Sequence, residues 1–387
     1  MQRLTIVLAV TAVSFVVVGI AGATWQVTST GNGYSKALSM PSGNTPTVSV
    51  SGVNVTVSWT GNTIGGAAVD GYTIKRYNTS NVLQSIGSAC TGLVTSTSCT
   101  ESSVPAGRWK YTATPNKGTN WVGTESGYSA QAHVVGAPTA VSCTNCYTNG
   151  SKYINSSINT SVSVQVDLPS TSETGDVVHL TLTDGTNTVT PATKAGTAGS
   201  GSLSWTAISA STLNQGNINI NAWVTEGGST SATTSTSVTK DTVAPTASNI
   251  AANNKTGGTL GKMDSGDTIV YTFSEQMDLS SLGGSSVTVA WTNNASNDSF
   301  TITSSNYGTV ATAADLVSGT VNWSSSTVVQ SGSTVTITLG TVDNSARLKT
   351  DTVAQNMTWT PVSTAKDLAG NAMSTTAKAE TDNDVDF

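Results

Sequence analysis

Residues 53–61, VNVTVSWTG, alternate Val53, Val55, Val57 and Trp59 with Asn54, Thr56 and Ser58. A two-residue period puts successive side chains on opposite faces of an extended chain, so the apolar set is expected to face a core and the polar set solvent. The signature recurs outward from that stretch. DGYTIKRYN places Tyr72, Ile74 and Arg76 on one face after a turn at Asp70-Gly71, and VPAGRWKYTATPNKG does the same for Trp109, Tyr111 and Ala113. Farther on, Val162, Val164, Val166 and Leu168 alternate, then Val178, Leu180 and Leu182, a turn at Asp184-Gly185, and Ile218, Ile220, Ala222 and Val224. GDTIVYTFSEQMDLSSL aligns Ile269, Tyr271 and Phe273, and Trp291, Trp323, Val335, Ile337 and Leu339 complete the core candidates. Short strands divided by Gly, Asn and Asp turns, with no helical period in the body of the chain, predict an all-β protein.

At 387 residues the chain suits two to four domains. Only 10% of residues are charged, and 16 Lys plus Arg stand against 22 Asp plus Glu, a net charge of −6. No basic stripe is present to neutralise phosphates, which excludes nucleic acid as a partner. The first residues, MQRLTIVLAVTAVSFVVVGIAGATW, join Arg3 to an apolar run from Leu4 to Ile20 and the small residues Ala21-Gly22-Ala23. This is the pattern of an export signal cut after Ala23. Its length of about 20 residues also suits an uncleaved hydrophobic helix that anchors the chain, the one route to a membrane. Either way the body lies outside the cytoplasm. Residues 24–44, polar and rich in Gly and Ser, read as a tether.

Four cysteines in an exported chain point to disulfides. Of three connectivities, the local pairs Cys90 with Cys99 and Cys143 with Cys146 are expected. The C-T-N-C spacing of the second pair lacks the helix start and βαβ context of a redox site.

The strand VTVSWT with Trp59, the DGYTIKR strand and the PAGRWKYTAT strand together resemble a fibronectin type III domain of bacterial extracellular proteins, over residues 45–135. That family places a Tyr at the corner before the penultimate strand; spacing puts Trp109 there. The run INAWVTEGGSTSATTSTSVTKDTVAPT resembles the end of a bacterial Ig-like domain and its junction with the next. The pair TFSEQMD and KDLAGN resembles the Ig-like domain of S-layer and cell-wall surface proteins. The resemblance implies three tandem Ig-like/fibronectin type III-like β-sandwiches: a leader 1–23, a linker 24–44, and modules at 45–136, 137–244 and 245–387.

Candidate chemistry is sparse. His133 and His179 lie in alternating strand segments of different modules and read as ordinary strand residues, far from the nucleophile–base arrangement of acyl transfer. Ser237-Val238-Thr239-Lys240 spells S-x-x-K but sits in a predicted strand without partner motifs. Asp264, Asp267, Glu275, Asp278 and Asp367 are the carboxylates to test for glycoside hydrolysis. No cofactor is expected; calcium is the structural ion that such turn carboxylates would hold. The tail Asp382 to Asp386 mimics the start of an EF-hand but lacks its sixth-position Gly and twelfth-position Glu. The favoured reading of Trp121 and Trp223 is packing under a loop or against the next module; left exposed, they would stack on sugar rings or anchor a protein interface. The expectation is a non-enzymatic, exported cell-surface rod for adhesion, spacing or envelope structure, whose partner is an unidentified surface protein or glycan. The alternatives are a carbohydrate-binding accessory protein and a secreted hydrolase. Edge strands would permit self-association.

Overall fold

A computed structural model describes residues 24–27 and 35–387; the expected N-terminal hydrophobic helix and the expected cleavage after Ala23 lie outside the described residues. No helix among the described residues is long and apolar enough to cross a membrane. The described residues form short strands joined by turns and loops, with one α-helical turn at Leu279–Leu282 and 3-10 turns at Ser88–Cys90 and Ser345–Arg347.

The first core is made by two facing sheets. One orders Thr47–Ser51, Asn54–Ser58 and Ser98–Glu101. The other runs Trp121–Val122, Gly107–Lys117, Gly71–Tyr77, Leu83–Gln84, with Ala132–Val134 added to Gly107–Lys117. That division of strands between layers is the fibronectin type III arrangement. Val55, Val57, Trp59, Tyr72, Ile74 and Tyr111 fill the space between the layers. Val53 is 38% exposed, against expectation: it follows Gly52, whose φ of +60° turns the chain before the strand begins. Trp109 takes the corner position. Its indole N–H donates to the Pro105 carbonyl at 2.7 Å, the bond a corner Tyr hydroxyl makes in this family of folds.

The tether expectation for residues 24–44 needs correction. Thr24–Val27 pairs antiparallel with Ser35–Leu38. Met40 is buried, Gly43 N donates to Thr124 O at 2.9 Å, and Asn62 Nδ2 donates to Ser42 O at 2.9 Å. The polar sequence hid the local strand pair because it lacks a two-residue alternation, and it hid the docking of Ser42 and Gly43 because their partners lie farther along the chain.

The second core lies between Ala140–Cys143, Val162–Leu168 and Gly201–Ile208 on one side and a larger sheet containing Ser151–Ile154, Thr234–Lys240, Gly216–Glu226 and Val177–Thr183 on the other. The chain changes sheets early: Ala140–Cys143 pairs antiparallel with Val162–Leu168, whereas Ser151–Ile154 pairs parallel with Thr234–Lys240. The Cys143–Cys146 disulfide sits at that change, and Cys90–Cys99 fastens the first core.

The third core is enclosed by one ten-stranded sheet, nine strands in a continuous path and Thr341–Val342 paired beside Val321–Ser331. The eleven-residue strand Val321–Ser331 joins its layers, pairing with Ser286–Thr292 over its first part and with Thr334–Thr338 over its last. The bend lies at Ser325, φ +53°. There the buried Ser326 hydroxyl donates to Trp323 O at 3.1 Å and accepts from Gly340 N at 3.1 Å. The pairing with Ser286–Thr292 shifts register there, between Val287 and Val289, and such a bulged bend is how one strand passes between layers to make a corner. The first strand, Ala247–Asn253, returns to the last, Lys378–Ala379, around Trp291, Trp323, Trp359, Tyr271 and Phe273.

Candidate functional site

The two halves of the TFSEQMD and KDLAGN pair meet: Met277 bridges Asp367, and Asp278 N donates to Lys366 O at 2.9 Å. Gly370, at φ +82°, turns the loop against Tyr147 of the preceding module, where a Cβ would lie 2.8 Å from the ring. Asp367 is buried and accepts from Asn371 N at 2.8 Å and Asn371 Nδ2 at 2.9 Å. This orients the Asn371 amide outward, so that Nδ2 also donates to Asp241 O at 3.0 Å and Oδ1 accepts from Ser156 N at 2.9 Å. In return Asn155 Nδ2 donates to Ala369 O at 2.9 Å. Beside this plug, carboxylate oxygens of Asp241, Glu275 and Asp367 lie within 4.8 Å of one another. Burial first, then the charges of Asp241 and Asp367 and a hydrogen bond with Asp241, push the Glu275 carboxyl up to about 7. Burial raises Asp367 too, against the lowering effect of the Asn371 donors. Sequence reading singled out Glu275 and Asp367 but missed Asp241, whose signal was the DTVAPT junction itself.

A second cluster ties the first two cores. Arg108 donates to both oxygens of Glu173, at 2.7 Å and 2.5 Å, and lies 3.8 Å from Glu226. His133 Nδ1 contacts the Glu226 carboxylate and is 3.8 Å from Asp176. Its Nε2 has no hydrogen-bond partner among the described residues. Burial and then Arg108 lower the His133 pKa, opposed by Asp176 and Glu173. His133 lies in the strand Ala132–Val134, where sequence alternation put it, and is in addition a buried member of an ionic cluster beside an open cleft of about 430 Å³. Next to it Ser229 Oγ accepts from Val135 N at 3.0 Å and donates to Gly52 O at 2.9 Å.

The remaining candidates stay apart. Asp267 accepts from Lys255 N and Asp264 N, and Asp264 accepts from Thr259 N, so both organise one loop. Asp278 caps the helical turn through Ser280 N. Lys240 spends its ammonium on the carbonyls of Ala210 and Leu213, and burial lowers its pKa. His179 stacks on Trp223 with ring centroids 4.9 Å apart and planes at 4°. Trp121 is half-buried, its indole N–H enclosed. A third acidic group joins Glu380, Asp384 and Asp386. There burial pushes Glu380 up to about 8 and Asp386 up to about 7, each helped by neighbouring carboxylates.

No family model and no curated protein matches the chain. Among solved structures it is similar to the FN1–FN3 domains of chicken CNTN1, at 9% identity over 88% of this chain and 99% of that one, TM-score 0.26. It is similar also to a tetra-tandem repeat from the extending region of a large adhesion protein, at 16% identity over 93% and 82%, TM-score 0.26. A 1.5-MDa bacterial ice-binding adhesin matches at 12% identity over 84% and 88%, TM-score 0.27. These neighbours are fibronectin type III tandems and adhesin repeats, and the fold itself rests on the strand order within each sheet.

Proposed function

We propose that the chain is a non-enzymatic, exported surface protein whose three β-sandwich modules, at 45–136, 137–244 and 245–387, stand end to end as a semi-rigid stalk for adhesion or spacing. One observation carries this reading: at both junctions buried side chains are spent on the backbone of the neighbouring module. Asn371, Asn155 and Ser229 are 2%, 5% and 2% exposed. In a freely pivoting string, the default for small inter-domain contacts, they would face water. The two disulfides support passage into an oxidising compartment, as does the sequence of the leader. Loops or edge strands would meet the partner, a surface protein or a glycan. Small-angle scattering tests the stalk: the chain is expected to scatter as one extended particle, and the double variant Asn371→Ala with Ser229→Ala as a more freely jointed one. A compact profile, or no difference between the two, would remove the reading. Beads coated with the chain separate adhesion from spacing by whether they are retained on cell or glycan surfaces.

One observation favours the hydrolase alternative, the convergence of Asp241, Glu275 and Asp367 beside a cleft of about 410 Å³. Glycosidases set their carboxyls ~5 Å or more apart with the sugar between them. Glu275 and Asp241 share a hydrogen bond instead, and Asp367 is occupied by Asn371. Turnover on a glycoside panel that disappears in Glu275→Gln would reverse this preference.

A further inference from the structure

Asp386 is 3% exposed, and neither oxygen of its carboxylate has a hydrogen-bond partner among the described residues. It is held in place from both sides. Phe387 is buried against Trp291, with ring centroids 5.7 Å apart, and its carbonyl accepts from Gly261 N at 2.7 Å. On the other side, Gln355 N donates to Asp384 O at 2.8 Å, and Asn356 Nδ2 reaches the carbonyls of Glu380 and Asp382 at 3.2 and 2.9 Å. Glu380, 5% exposed, keeps one oxygen on Met357 N at 3.0 Å. Ligand oxygens of Glu380, Asp384 and Asp386 then fall within 4.8 Å of one another. None of the ion pairs among the described residues involves these three acids. A buried carboxylate that meets neither donor nor cation is costly, and a bound cation removes that cost.

We propose that Glu380, Asp384 and Asp386 bind one divalent cation of the calcium type and thereby fasten the tail segment to the third module. All three ligands are hard carboxylate oxygens with no imidazole or thiolate among them, which suits calcium or magnesium over the transition metals. Calcium is the better fit because it accepts six to eight oxygens in irregular geometry, and carbonyls of an ordered loop can add to the acids. Asp384 is exposed, so the ion has a way in. The site does not form an EF-hand: Glu380 precedes the acidic run, and the acids come from an extended segment laid against residues 355–357.

The test is calorimetric titration of CaCl2 into the full chain after EDTA treatment, paired with thermal unfolding. Wild type is expected to take up calcium with a dissociation constant on the order of 10⁻⁴ to 10⁻³ M, the range of extracellular modules. In excess calcium the third-module transition should rise by about 5 °C. Asp386→Asn should abolish both effects, yet in EDTA it should unfold no earlier than wild type, because it removes a buried charge. Should Asp386→Asn fail to fold, Asp384→Asn, on an exposed side chain, should still weaken binding tenfold or more. Glu275→Gln should bind as wild type does. Absence of a calcium effect on wild type would overturn the proposal. So would binding that survives Asp384→Asn and Asp386→Asn but is lost in Glu275→Gln, which would put the ion at the module junction.

Discussion

Arg76 lies on the buried face of its strand, 6% exposed, where sequence alternation placed it among apolar neighbours. Its Nη1 donates to Glu101 at 2.9 Å, and Tyr111 Oη and Gly87 N donate to the same carboxylate at 2.8 and 2.9 Å. The guanidinium also lies 4.5 Å from the centre of the Trp109 ring. An ion pair closed inside a sandwich contributes little net stability, but removing one partner strands the other. Arg76→Met is therefore expected to destabilise the first module by about 3 kcal/mol, and a second change, Glu101→Leu, to restore most of it. Denaturant unfolding followed by hydrogen exchange at the Tyr111 and Val57 amides measures both; equal losses in the single and double variants would contradict the account. Trp109 joins the same cluster through its ring under Arg76, and its N–H makes the corner bond to Pro105. Trp109→Phe keeps an aromatic face but loses the N–H together with part of the indole packing, so it should cost about 2 kcal/mol, and Trp109→Tyr, which can place a hydroxyl at the corner, should cost less.

At the scale of elements, strands were legible wherever one face is buried. Val162, Val164, Val166 and Leu168 are all buried while Ser163, Gln165 and Asp167 are not, because a period of two leaves a strand no other way to sort its side chains. Val53 broke the pattern because turn geometry at Gly52 outranked its apolarity. The pairing of Thr24–Val27 with Ser35–Leu38 was illegible because the polar stretch carries no sustained alternation, and the sheet-crossing bend at Ser325 because its strand partners are distant in sequence. The disulfides were legible because their spacing left two local loops. Their consequences differ with loop length: the pairs are separated by 9 and 3 residues. On the loop-entropy model, losing Cys90–Cys99 should cost about 2.7 kcal/mol and losing Cys143–Cys146 about 1.9 kcal/mol. Denaturant midpoints of the paired Cys→Ala variants are the check, and a larger loss from the second pair would show that it acts by holding the sheet change at Ala140–Cys143 in the folded state.

For the whole molecule, what the sequence hid was the use made of its motifs. KDLAGN and TFSEQMD read as turn and strand of one domain, yet Asp367, Gly370 and Asn371 serve the neighbouring module, and no periodicity reports a contact of that kind. The same junction should respond to pH. Glu275 is held at about 7 in the fold against an ordinary value of 4.5, so the folded junction binds its proton more tightly than the unfolded chain does. For a carboxyl shifted in this direction, the stabilisation is complete below about pH 4.5 and is lost as pH rises through about 7. Below that point Glu275 donates to Asp241; above it, Asp241, Glu275 and Asp367 repel one another at the seam. Glu380 and Asp386 shift in the same direction, so overall melting temperature alone would not isolate the junction. Hydrogen exchange at the Ser156 and Asn371 amides does, because both are bonded within the junction, to Asn371 Oδ1 and Asp367 Oδ1. In EDTA, protection of these amides should fall between pH 5 and about pH 8 in wild type. In Glu275→Gln, which keeps a donor for Asp241 and cannot ionise, it should stay nearly level. An equal fall in both proteins would mean that the seam is loosened by some other group, and that Glu275 merely lies beside it.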